Sequence, residues 1–106
     1  MSMVERDNSL KDFFIECLAI LEKKGADYNP EGVPFSEIKA TAAKLGIKPE
    51  QVLTVYMDKH WNAIMSHAKK GQLESEPIRE RLKDLANYCA LYAVMIGEGT
   101  NMTEAS

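Results

Sequence analysis

Apolar residues return every third or fourth position along almost the whole chain and never alternate long enough to make a strand, so the backbone is committed to helices. In the first segment Leu10, Phe13, Phe14, Cys17, Leu18 and Leu21 follow the helical template without a miss. Asn8 or Ser9 is placed to cap that helix, and Lys24-Gly25 to end it. A connection over 26–34 follows, rich in turn formers: Asp27, Asn29-Pro30, Gly32 and Pro34. A short second helix is expected over Phe35–Leu45, stopping at Gly46. Pro49 suits the first position of a third helix that runs to Lys70, with Val52, Leu53, Tyr56, His60, Ala63, Ile64 and His67 facing inward. Ser75 is placed to cap a fourth helix, whose expected core stripe is Ile78, Leu82, Leu85, Ala86, Cys89, Ala93 and Ile96.

Three helix ends read alike, Lys23-Lys24-Gly25, Lys44-Leu45-Gly46 and Lys69-Lys70-Gly71. Each sets lysine against the negative end of the helix dipole and glycine where a left-handed residue closes the helix. The fold class expected is therefore all-α: one four-helix domain over 1–97, with a flexible tail over 98–106. The fourth helix should be central, because beyond Asp84 it is apolar on nearly every side, adding Leu91, Tyr92, Val94 and Met95. A helix of that kind is the middle of a fold or half of a subunit interface, so a homo-oligomer through helix 4 is expected as well.

Charge narrows the partners. Thirteen basic against 16 acidic residues give −3, which leaves no basic excess for bulk nucleic acid. The longest apolar stretch, Leu85 to Ile96, contains Asn87 and is too short to span a bilayer. No apolar core follows Met1 to mark an export signal. A cytoplasmic protein without membrane partners is expected, with Cys17 and Cys89 as buried free thiols.

Two clusters stand out. His60 and His67 share a helix face, but seven residues separate them by about 10 Å along the axis, too far to converge on one zinc. His60 sits instead within Asp58-Lys59-His60-Trp61, where imidazole and indole can flank a ligand. On helix 4, Glu76, Glu80 and Asp84 stand at i, i+4 and i+8, with Asn87 and Tyr88 continuing that side. Like charges at this spacing oppose the helix, and Asp84 lies too far in for the N-terminal dipole to stabilise. Arg81 or Lys83 could neutralise it locally.

Leu21-Glu-Lys-Lys-Gly-Ala-Asp-Tyr28, Phe35-Ser-Glu-Ile-Lys39, Asp58-Lys59-His60, Leu73-Glu-Ser-Glu-Pro-Ile-Arg79 and Asp84-Leu-Ala-Asn-Tyr88 occur in that order. Together they resemble the small helical domain of phages and bacteria called nucleotide modification associated domain 1, over about residues 13 to 96. The chain is similar, more distantly, to the all-α NTP pyrophosphatases of the MazG type. The first resemblance implies a nucleotide or nucleotide-derived signal as ligand, sequestered against host defence if a phage encodes the chain, in the host cytoplasm. Lys24, Asp27, Tyr28, Lys59, His60, Trp61, Asp84, Asn87 and Tyr88 are the candidate ligand residues, with no catalytic residue and no cofactor. The second implies magnesium-dependent hydrolysis, for which Glu76, Glu80 and Asp84 are the available ligands. Its paired acids three apart are not reproduced: Glu80 and Asp84 are four apart, and helix 1 offers Glu16 and Glu22. A third reading is an interaction or inhibitor module whose apolar helix 4 packs on a protein.

Overall fold

The computed structural model describes residues 1–28, 35–71 and 77–99, with side chains to Lys24 in the first stretch and to Gly97 in the last. They form four helices: α1 (Met3–Tyr28), α2 (Ser36–Leu45), α3 (Pro49–Lys70) and α4 (Ile78–Gly99). Among the described residues there is no strand. The helix α4 is central, packed along α3 and along α1, while α2 lies on α3.

Most ends follow from local chemistry. Gly46 takes a left-handed φ of 68° and closes α2 in a Schellman turn, its N–H donating to Ala43 O and that of Ile47 to Ala42 O at 3.0 Å. Gly71, at φ 80°, closes α3 in the simpler left-handed cap, its N–H donating to His67 O. At the start of α3 the Gln51 side chain accepts the Lys48 backbone N–H at 2.9 Å, and Pro49 sits in the first turn. The expected Ser75 cap of α4 and the tail beyond Gly99 lie outside the described residues.

Helix α1 departs from its expected bounds at both ends. It starts at Met3 rather than near Asn8, because the Ser2 hydroxyl accepts the Glu5 N–H at 3.1 Å and caps an earlier turn. It also runs through Gly25 to Tyr28, so only two of the three Lys–Gly ends stop a helix. Glycine permits a left-handed stop without imposing one.

The core is small. Leu53 is fully buried and packs with Phe35 and Met95, bordered by Ile38, Tyr88, Leu91 and Tyr92. Phe35 reaches it from the residue before α2, at a left-handed φ of 59°, a conformation costly for a bulky side chain and offset here by burial of its ring.

Of the stripe expected to be the core side of α4, Ile78, Leu85 and Ala86 are half-buried and the rest is outer. Leu82 and Ile96 are 39% and 45% exposed, and Cys89 and Ala93 also face solvent. The buried positions are Lys83, Asn87, Met95 and Gly97, with Asp84, Tyr88 and Leu91 among the half-buried ones. An all-round apolar helix carries no clear phase, and the polar residues inside it are held by partners on α1 and α3 that the α4 sequence does not display. Cys17 is buried as expected, whereas Cys89 is exposed for the same reason. On α1 the stripe is also only partly covered: Cys17 is buried, but Leu10, Phe14 and Leu18 are open.

Candidate functional site

Polar chemistry gathers along the inner side of α4. Toward α1, Glu16 accepts from the Arg79 guanidinium and from Lys83 at 3.4 Å, and Lys83 also pairs with Glu80 at 2.8 Å. Arg79 lies over the Phe13 ring, 5.3 Å from its centre. One turn on, the buried Asn87 amide donates to the Cys17 carbonyl at 2.9 Å. Arg79, with Lys83 beside it, holds the Glu16 carboxyl below the ordinary carboxylate range. Glu80, and then Glu16, raise the Lys83 ammonium. Burial pushes the Cys17 thiol up.

The next turn of α4 forms a corner with the end of α1 and the middle of α3. Asp84 Oδ1 meets Lys24 Nζ at 3.1 Å, and its other oxygen stands 3.9 Å from His60 Nδ1. Arg81 Nη1 lies 3.4 Å from that same nitrogen. Arginine only donates, so a bond there requires Nδ1 to accept, with the ring proton on Nε2. The buried His60 ring packs on Tyr88 at 5.4 Å, and Tyr88 on Tyr56 at 5.8 Å.

Four expected ligand residues, Lys24, His60, Asp84 and Tyr88, therefore meet at one corner. The Asp84 partner is Lys24 of α1; Lys83, one of the two local candidates, turns to Glu16 and Glu80 instead. Asn87 is a brace between α4 and α1. Lys59 is exposed and stands about 100° round α3 from His60. Trp61, 51% exposed, faces an open cleft of about 350 Å³ with Thr54, Met57, Asp58, Leu85 and Cys89. Asp27 and Tyr28 fall in the last turn of α1, and their side chains, like all of Glu76, lie outside the described residues. Two contributors were not among the expected ligand residues. Arg81 carried a signal only as a local neutraliser of Asp84, and Tyr56 only as a member of the inward face of α3.

For the magnesium alternative, Glu80 and Asp84 are engaged by different lysines, Lys83 and Lys24. Among the described residues, no three His, Cys, Asp or Glu side chains converge as a metal site. No helix is long and apolar enough to cross a membrane among the described residues. No protein-family model matches the chain, and neither curated proteins nor solved structures give a match.

Proposed function

We propose that the chain binds a small anionic, ring-bearing ligand of the nucleotide type at the corner formed by Lys24, His60, Asp84 and Tyr88, and holds it without cleaving it. The supporting observation is Asp84 itself. It is a carboxylate in mid-helix, 17% exposed, turned inward to a lysine and a histidine beside packed tyrosine rings. Lys24 is half exposed, so it can swing from Asp84 to a phosphate without unfolding anything. Asp84 is then left to accept from a sugar hydroxyl or a base amine. The exposed Tyr56 ring supplies a face on which a base can stack. Separate engagement of Glu80 and Asp84 by lysines favours holding over hydrolysis. The resemblance to nucleotide modification associated domain 1 points the same way, and sequestration of a signal used in host defence is the biological role that fits it.

The test is incubation with a panel of mono-, di- and cyclic nucleotides, with and without magnesium, read by chromatography after denaturation. Unchanged nucleotide recovered with the protein is the expected result. Released pyrophosphate would make the chain a pyrophosphatase. Absence of any retained nucleotide would overturn the ligand reading.

A further inference from the structure

The outer face of α4 is independent of that corner. From Leu82 to Ile96 it reads Leu82, Leu85, Ala86, Cys89, Ala93 and Ile96, without a charge over four turns. Arg79, Glu80, Lys83 and Asp84 make their ion pairs on the α1 side. Covering the outer face therefore leaves those ion pairs in place, and among the described residues Asp58 is the one charged residue that lines the adjoining cleft. The neighbour of the face across that open cleft is the exposed Trp61 of α3, with exposed Met65 one turn further along.

We propose that this face seats a second copy of the chain, the two α4 helices crossing antiparallel about a two-fold axis at Cys89. The spacing is self-complementary about that residue. An axis there sets Leu82 against the partner's Ile96 and Leu85 against the partner's Ala93, each contact being repeated by symmetry. Leu82 and Ile96 stand at the two ends, and near the crossing the small Ala86, Cys89 and Ala93 face Leu85, so the backbones can approach to about 8–10 Å. The cleft beside Trp61 gives room for the apolar side chains that the second copy brings. With Trp61 and Met65 on its flank, the face has to bury about 600 Å² per copy, about 1,200 Å² for the pair, to reach the lower end of the range for specific association.

Sedimentation velocity at tens of micromolar reads the assembly, and a short bis-maleimide reads the geometry through Cys89, the exposed cysteine of the two. A dimer is expected, cross-linked in wild type and in Cys17→Ser but not in Cys89→Ser. Ala93→Glu is expected to give a monomer with unchanged helical circular dichroism. Phe14→Glu, on the exposed stripe of α1, is the control and should leave the dimer intact. A larger oligomer that cross-links through Cys89 retains the contact as one of its interfaces. A monomeric wild type overturns the proposal. So does an assembly that gives no Cys89 cross-link, or one that Phe14→Glu dissolves and Ala93→Glu does not. If Ala93→Glu loses its helical signal, the Cys89 cross-link alone decides. Nucleotide binding enters none of these readouts, so either proposal can fail without the other.

Discussion

On the α1 side of α4, Lys83 and Asn87 are withdrawn from water, at 6% and 9% exposed, and both are bonded. On the opposite side, Leu82, Cys89, Ala93 and Ile96 stand in solvent. The helix thus turns Lys83 and Asn87 inward along with its core residues Met95 and Leu91, and leaves a second apolar stripe outside, unlike an ordinary surface helix. Such an arrangement is stable only if every inward polar group finds a partner, because a buried charge without one is strongly destabilising. Glu16 and Glu80 do this for Lys83, Lys24 for Asp84, and the Cys17 carbonyl for Asn87. Among the described residues Leu82, Cys89, Ala93 and Ile96 keep their exposure, and that asymmetry sets the proposed ligand corner apart from the proposed contact face on one helix.

The comparison can be broken first at the core that both faces depend on. Leu53→Ala removes the one fully buried large side chain among the described residues and should cost about 3 kcal/mol in chemical denaturation, a loss large enough to leave the domain marginal. Leu85, expected in the core from sequence, lines an open cleft instead, so Leu85→Ala should cost clearly less in the same titration. Comparable losses at the two positions would mean that the faces of α4 are assigned the wrong way round.

The inner face is sharpened next by Asn87→Ala. It removes one buried bond between helices and should cost about 1–2 kcal/mol in urea unfolding. A loss under a few tenths would mean that Cys17 O is served well enough by its own helix.

Acid then probes the ion pairs. Because the folded Glu16 pKa is lowered, its contribution is present above the unfolded carboxylate value and lost as pH falls through the lowered one. Lys83, raised in the fold, contributes below the ordinary lysine value and loses that contribution as pH climbs through its raised one. Glu16→Gln should therefore be less stable than wild type at neutral pH, with the gap closing as the pH falls below about 4. Melting temperatures across pH 2 to 7 would check this, and a gap that stayed constant would remove Glu16 from the account. On the outer face, Ala93→Glu should change the stability of the isolated chain least of all, by no more than about 0.5 kcal/mol.

Where sequence was legible, a local rule decided the matter. The ends of α2 and α3 were readable because Gly46 and Gly71 close them through bonds made within six residues. The early start of α1 was hidden because one hydroxyl, Ser2, adds two turns ahead of the apolar pattern. The orientation of α4 is not legible in its own sequence, since its inward polar groups find partners in Glu16, Cys17 and Lys24, 60 or more positions away. Asp84 was nonetheless the residue to notice, because it broke a helix rule without a local compensation. Its compensation proves to be Lys24, 60 residues away. Lys59 and Trp61 neighbour His60 in sequence, and Asn87 neighbours Asp84, yet Trp61 faces the open cleft and Asn87 bonds to the Cys17 carbonyl.

The division of labour on α4 is tested most directly by calorimetric titration of one retained nucleotide into three proteins: wild type, Asp84→Asn and Ala93→Glu. Asp84→Asn keeps the size of the side chain and removes its charge, and it should weaken binding at least tenfold, about 1.4 kcal/mol. Ala93→Glu, on the other face, should bind with wild-type affinity. Full affinity in Asp84→Asn, or its loss in a folded Ala93→Glu, would contradict the account and place the ligand on the outer face.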